Sequence, residues 1–458
     1  MRNVPETPVG PDGLQASEAD LLFQPLTPFS NLALAVSGGA DSLSLLVLFN
    51  DWRQRTGWGG AVEVVTVDHG LRPESADEAA LVAQCAEARD LPHTILCWQG
   101  EKPSRNLQED ARLARYRLIA EHMRHSGAEA LVLGHHLYDQ AETFLDRLTR
   151  GSGLAGLSAM APDEPDGPEG LRLLRPLLSV PRERLEASLA VRGLDWCRDP
   201  SNDDPKYKRG RLRRILPLLA AEGLSSERIA QTARQLRRAR EALDTVVGQT
   251  AAAEIEDHPA GALRLTRDAY CGLAEELRLR LLTHMVLRTA GVRPRLRLQK
   301  LETLDRQLMS GKSGRHTLAG VLFETGESWL WAAREPGRSP PETLRNPRGR
   351  GIWDRRYRYR FPENETGGMP DRDLFLGPLC SAPVAPPDIL WPSGWPKSAF
   401  GCSPVVWDAD GMAISGPLLA GRAGADSGVG MPFDLERLPI QGRLTVNYVE
   451  EGAADGEN

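Results

Sequence analysis

The 458-residue chain is 41% hydrophobic and 26% charged, an ordinary globular balance at a length beyond one hydrophobic core, so two or three domains are expected. It holds no apolar run of the ~20 residues that span a bilayer, and its first residues lack the layout of a secretory signal, so a cytoplasmic protein with no membrane partner is expected. The cysteines Cys85, Cys97, Cys197, Cys271, Cys380 and Cys402 form no CxxC pair or metal-ligand spacing, which speaks against zinc, an iron–sulfur cluster or a disulfide framework and leaves each as a buried, small apolar side chain.

Residues 1–28, rich in Pro, Gly and acidic side chains, read as a flexible leader. Four apolar runs then read as strands: Leu32–Val36, Val62–Val67, Thr94–Trp98 and Ala130–Leu133. Helical patterns at 41–54, 75–90, 106–126 and 138–149 alternate with them, as in an α/β doubly wound parallel sheet, here placed over 29–219. Ligands of such sheets sit beyond the carboxyl ends of the strands. Pro162–Gly170 reads as an acidic surface loop. From Lys206 to Arg240 eleven Lys or Arg face only Glu222 and Glu227, a local balance of +9 in a chain of net charge −6; this stretch suits phosphates. An α-helical, tRNA-binding domain is expected over 220–335, with amphipathic runs at Arg228–Ala253 and Leu273–Ala290 and the Arg-rich Arg293–Leu308. A Pro-rich linker at 336–349 opens a small α+β C-terminal module over 336–449, and 450–458 read as a disordered acidic tail. Within the module, Arg355–Arg360 alternates Arg with Tyr, which suits either nucleic-acid stacking or an exposed strand.

After the first strand comes Ser37-Gly38-Gly39-Ala40-Asp41-Ser42, then an apolar helix. Strand, glycine turn and helix start make a phosphate cradle, because glycine admits close backbone approach and the helix start presents unpaired N–H groups. Gly151, Gly153 and Gly156 match GxGxxG but follow a helix, and Gly311-Lys312-Ser313 lacks the first glycine of a Walker A loop; neither is given nucleotide duty. The SGGxDS string resembles the signature of the PP-loop ATP pyrophosphatases. That resemblance implies cleavage of ATP between the α- and β-phosphates and transfer of AMP, with Asp41 a hard oxygen ligand for Mg²⁺.

Further strings are Val67-Asp68-His69-Gly70-Leu71-Arg72-Pro73-Glu74-Ser75, Ala111-Arg112-Leu113-Ala114-Arg115-Tyr116 and Gly134-His135-His136-Leu137-Tyr138-Asp139-Gln140-Ala141-Glu142-Thr143. Arg150–Leu154 with Arg175-Pro176-Leu177, and Asp199-Pro200-Ser201-Asn202 before a basic run from Arg209 to Pro217, complete the set. In order and spacing these resemble the tRNA(Ile)-lysidine synthetase family over roughly 31–217, the resemblance beyond being faint.

Read as residues, Asp68 and His69 are strand-end caps or contacts to adenosine or acceptor. Arg112 and Arg115, at i,i+3, form a solvated charged face or an RNA contact. His135, Asp139 and Glu142, at i, i+4 and i+7, project together where the fourth strand enters a helix, whereas His136 reads as a structural histidine. The resemblance implies Asp41, Asp139 and Arg112 as catalytic. It implies ATP held by Ser37, Gly38, Gly39, Ala40, Asp41 and Ser42 with Asp68, His69, His135 and Arg209, Mg²⁺ on Asp41 and Asp139, and the lysine ammonium on Glu142. Tyr138 stands where the family commonly has Asp, and Gly210 where it often has Asn. The implied reaction adenylates O2 of the wobble cytidine in the CAU anticodon of isoleucine tRNA; the amine of L-lysine then attacks C2 and expels AMP. The partners implied are that tRNA and lysine, with a homodimer as an assembly; the alternatives are a tRNA 2-thiolation enzyme or a non-catalytic tRNA binder.

Overall fold

The computed structural model describes residues 12–71, 75–100, 102, 107–197, 206, 208–291, 296–337, 340–361, 373–383, 389–419, 434–438 and 448–449. The string Asp199–Asn202, Arg72–Glu74 and the tail 450–458 lie outside them. The chain divides into two compact units, Met1–Arg238 and Ala239–Asn458, the division falling within the helix Ser226–Glu254.

In chain order the first unit comprises α1 (Ala16–Phe23), β1 (Asn31–Ala35), α2 (Ala40–Thr56), β2 (Ala61–Asp68), α3 (Ser75–Glu87), β3 (His93–Cys97) and α4 (Leu107–Ser126). It continues with β4 (Ala130–Leu133), α5 (Leu137–Leu148), α6 (Leu154–Leu157), β5 (Asp163–Glu164), β6 (Leu173–Leu174), α7 (Arg182–Ala190), α8 (Lys208–Ala221) and the start of α9 (Ser226–Glu254). The strands lie in the order β3-β2-β1-β4-β6-β5, all parallel except β5. The central strands β1, β4 and β6 are apolar almost throughout because both faces are covered. Leu32 and Leu34 pack with Val82 of α3, Leu45 of α2 and Leu185 of α7, while Ala33 and Val65 pack with Tyr116, Ile119 and Met123 of α4. A third cluster joins Phe144 and Leu145 of α5 to Leu212 and Leu216 of α8 and Ile229 of α9.

Three expectations are corrected. Residues 16–26 are no loose leader: α1 and the 3-10 turn after it bring Phe23 and Leu26 into full burial, with the Phe23 ring 5.9 Å from Phe49 and 5.8 Å from Trp52. The acidic loop is not surface decoration alone. Asp163 and Glu164 form the antiparallel edge strand β5, held by Arg172 on Asp163 and the buried Arg175 on Glu164, each at 2.7 Å. Of the cysteines, only Cys85 and Cys402 are buried, and Cys97, Cys271 and Cys380 are exposed. Cys97 ends the edge strand β3, which has no neighbour on its outer side among the described residues.

The second unit adds β7 (Glu256–Asp257), β8 (Leu263–Thr266), α10 (Arg267–Cys271), α11 (Glu275–Ala290), β9 (Leu296–Arg297), α12 (Leu298–Met309), β10 (Gly314–Leu318), β11 (Val321–Thr325) and β12 (Trp329–Arg334). The helices expected in 220–335 are present, and a five-stranded antiparallel sheet, β10-β11-β12-β8-β7, stands with them. Val321 and Phe323 face the core beside Leu281, Leu282 and Met285 of α11. The tight turn between β10 and β11 places Ala319 at φ 52° and Gly320 at φ 78°, the conformation a two-residue hairpin needs.

Beyond residue 336 lie β13 (Leu344–Arg345), β14 (Arg350–Trp353), β15 (Tyr357–Arg360), β16 (Leu374–Pro378), β17 (Pro404–Asp408), β18 (Ala413–Ser415), β19 (Asp434–Arg437) and β20 (Tyr448–Val449), which pairs with β9. In the Arg–Tyr run, Arg356 and Tyr357 are buried and Arg358 pairs with Glu436 at 3.0 Å, so Tyr357 is core rather than a stacking platform.

Because Phe23 has no exposed surface, Phe23→Ala in the full chain is expected to lower unfolding free energy by about 3–5 kcal/mol. Chemical denaturation reads this; an unchanged curve would mean that α1 contributes nothing to the core.

Candidate active site

The order of the sheet reverses between β1 and β4, the crevice where open α/β sheets bind ligands. Beyond β1, Gly38 takes φ +82°, and a Cβ there would lie 3.2 Å from the Glu78 carbonyl oxygen. Ser42 Oγ accepts the Ser37 N–H at 3.0 Å and donates to the Gly39 carbonyl at 3.1 Å, and Ser37 Oγ lies 3.2 Å from Ser42 Oγ. Gly39 is the N-cap of α2 with no side chain to satisfy its first N–H groups. The loop is thus a closed turn with backbone donors at the positive end of a helix, which suits phosphate oxygens. Beyond β4, Gly134 lets the chain touch that same helix start: a Cβ would meet the Asp41 carbonyl oxygen at 2.8 Å and Ser42 Cα at 3.1 Å.

Two helix starts therefore converge, and a histidine read as merely structural stands between their acidic residues. His136, 2% exposed, is the N-cap of α5. Its Nδ1 accepts the Tyr138 N–H at 3.1 Å, which assigns the hydrogen of the neutral ring to Nε2. Nε2 lies 3.4 Å from Asp41 Oδ2 and 3.6 Å from Asp139 Oδ2. Asp139 Oδ2 also accepts the His136 N–H at 2.9 Å, a capping box that locks both residues. Burial pulls the His136 pKa down, but the bond to Asp41 and the charges of Asp139 and Asp41 outweigh it and leave it raised. For Asp139, burial acts upward, and the neighbouring His136 and His135 override it to hold the carboxyl below its ordinary range. From α7, Arg182 Nε approaches Asp41 Oδ1 to 3.8 Å. Tyr138, in place of the common Asp, donates its hydroxyl to the Glu183 carboxylate at 2.7 Å and so ties α5 to α7.

The remaining candidates surround this pair. Asp68 Oδ1 accepts from Ser75 Oγ at 2.7 Å and from the Gly70 N–H at 2.8 Å; these bonds hold its pKa down and make it a cap of the β2 end. His69 stands edge-on to Trp98 at 5.9 Å. Arg112 lies over the Tyr116 ring at 5.1 Å, and its charge and that of Arg209 bear on His135. Glu142, 2% exposed, is engaged within the chain: its Oε1 takes Arg213 Nε at 2.5 Å. Burial raises its pKa against the pull of Arg213.

Among the described residues, the buried His69 Nδ1, His135 Nδ1 and Glu142 Oε2 have no hydrogen-bond partner, and Asp41 Oδ1 has none beyond the ion pair with Arg182 Nε, which itself pairs with Glu186 Oε1 at 3.1 Å. Buried polar groups are ordinarily satisfied, so these are the atoms a polar ligand would complete. Among the described residues no group of three or more His, Cys, Asp or Glu is arranged to hold a metal. Asp41 and Asp139 instead fit Mg²⁺, which takes one or two carboxylates and fills its octahedron with phosphates and water. Of the residues passed over, Arg182 left a signal: a cation in the first turn opposes the helix dipole and so needs a partner. His136 left one too, an N-cap three residues before an acid.

Burial takes the His69 and His135 imidazoles down to about 4 from the ordinary 6.5. The unfolded chain therefore protonates first. Stability from these groups is full above about pH 6.5 and is lost as pH falls towards about 4. A melting series over that window is expected to slope downward with acid, and less steeply in the His69→Asn/His135→Asn double variant; equal slopes would show that neither ring is buried neutral.

A family model described as a PP-loop domain matches residues 14–219. A tRNA(Ile)-lysidine synthase of Rhodopseudomonas palustris is 41% identical over 342 residues, covering 71% of this chain and 97% of that protein. One of Methylobacterium is 44% identical over 319 residues, covering 67% and 90%. One of Ruegeria pomeroyi is 36% identical over 397 residues, covering 85% and 89%. A likeness covering 85% of the chain runs well past residue 217, where it was expected to fade. No described helix is long and apolar enough to cross a membrane. With an ATP-using PP-loop domain at its start and this likeness along most of its length, the chain belongs to the tRNA(Ile)-lysidine synthase family.

Proposed function

We propose that this chain is a ligase that joins L-lysine to C2 of the wobble cytidine in the CAU anticodon of isoleucine tRNA, using ATP and forming AMP and pyrophosphate. The product, lysidine, would change codon reading from AUG to AUA. The observation that carries the reading is the 41% identity over 97% of a tRNA(Ile)-lysidine synthase.

The residues support it as follows. The turn from Ser37 to Ser42, at the uncapped start of α2, grips the phosphates and stabilises the departing pyrophosphate. Asp41 and Asp139 hold Mg²⁺, which when bound neutralises charge on the phosphates. Adenylation by attack of the cytidine O2 on the α-phosphate turns a poor leaving group into AMP, and the lysine amine then displaces it at C2. Arg112 and Arg209, exposed at the site's edge, suit the phosphates of nucleotide or tRNA; His69 and His135, neutral near pH 7, offer uncharged ring nitrogens to adenosine. Glu142 Oε2, unpaired beside the Arg213 contact, suits the lysine ammonium. In the basic stretch, Arg237 is consumed inside the unit by the Ser158 and Met160 carbonyls and Lys208 by Asp146. Arg214, Arg234 and Arg238 are exposed and suit the tRNA backbone. The helices and strands of 220–449 would grip the rest of the tRNA.

Incorporation of radiolabelled lysine into unmodified isoleucine tRNA is expected to require ATP and the CAU anticodon and to fall by about 100-fold or more in Asp41→Ala. Pyrophosphate release without lysine transfer would leave a PP-loop enzyme with another acceptor. Glu142→Gln is expected to raise the KM for lysine at least tenfold, about the loss of one charge-assisted contact, with the KM for ATP nearly unchanged; equal shifts in both would remove Glu142 from the lysine site.

A further inference from the structure

The two nitrogens of His136 face different tasks. Nδ1 accepts the Tyr138 N–H and so caps α5. Nε2 lies between Asp41 Oδ2 and Asp139 Oδ2 at 3.4 and 3.6 Å. Each carboxylate is reached through Oδ2; Asp41 Oδ1 is buried and, among the described residues, has no hydrogen-bond partner, with only Arg182 Nε near it at 3.8 Å. Nothing lets the ring wander: it is 2% exposed, its backbone N–H is bonded to Asp139, and the Tyr138 ring stands edge-on to it at 5.8 Å.

We propose that His136 is a positioning residue that acts through Asp41 and Asp139, its Nε2, 3.4 and 3.6 Å from one oxygen of each carboxylate, steering those oxygens so that the other of each pair is presented to the metal that accompanies ATP. This rests on the reading of those two aspartates as the metal ligands. Groups that orient ligating carboxylates typically change metal affinity by about 10–100-fold when removed. The capping task is separate, because it uses the other nitrogen.

Two substitutions divide the tasks. In His136→Asn, Oδ1 takes the place of Nδ1 and keeps the cap, but the side chain ends short of the carboxylates. In His136→Gln, the amide nitrogen takes the place of Nε2, but the short-range cap is lost. The full chain is titrated with Mn²⁺, read by electron paramagnetic resonance, in the presence of α,β-methylene-ATP, and ligand-free melting is recorded alongside. His136→Asn is expected to melt close to the parent and to need about tenfold or more Mn²⁺ for half-saturation. His136→Gln is expected to bind Mn²⁺ within about twofold of the parent and to melt several degrees lower, as loss of a cap costs about 1 kcal/mol. Unchanged or tighter Mn²⁺ binding in His136→Asn, with Asp41→Asn and Asp139→Asn both weakened, overturns the positioning role alone. If neither Asp41→Asn nor Asp139→Asn weakens Mn²⁺ binding, the metal reading fails and this inference falls with it.

Discussion

Two carboxylates of like charge in a half-buried crevice repel each other, and the site depends on what holds Asp41 and Asp139 there. Each sits in the first turn of a helix, where the dipole favours negative charge. One buried imidazole lies between them at 3.4 and 3.6 Å, and the Arg182 guanidinium stands nearby at 3.8 Å. None of this would meet without Gly134, whose missing side chain lets the end of β4 press on the first turn of α2. The phosphate turn, the acidic pair and the helix starts form a single packing unit.

The surroundings follow from that unit. Tyr138, a departure from the commonest family residue, adds no carboxylate, but its hydroxyl fastens α5 to α7 through Glu183, and α7 is the helix that carries Arg182 to Asp41. Gly210, the other departure, is buried in α8, the helix that packs on α5 and delivers Arg213 to Glu142. Both differences thus fall on elements that pack against one another around α5. The basic stretch shows the same economy: part of its charge neutralises buried carboxylates and carbonyls, so its local balance of +9 overstates what remains for a phosphate backbone.

Strands β1–β4 and helices α2–α5 of the first unit were legible because their signal is local: short apolar runs alternating with 3.6-residue periodicity. The phosphate turn was legible for the same reason, as six consecutive residues. What was misread depended on partners far along the chain. Residues 16–26 carried leader-like composition, and only Phe49 and Trp52 turn them into core. The hairpins of 314–334 lie next to helical runs, and their tight turn at Ala319-Gly320 is seen only in the structure.

The sequence by itself determined the fold class, the phosphate cradle and the spacing of His135, Asp139 and Glu142, since each follows from backbone geometry over a few residues. Tertiary structure decided which acid meets which cation. His136 lies between two aspartates because strand order sets β4 beside β1. Glu142 is joined to Arg213 across 71 residues because α8 docks on α5. Such pairings depend on how strands are ordered and helices docked, and no local periodicity encodes them.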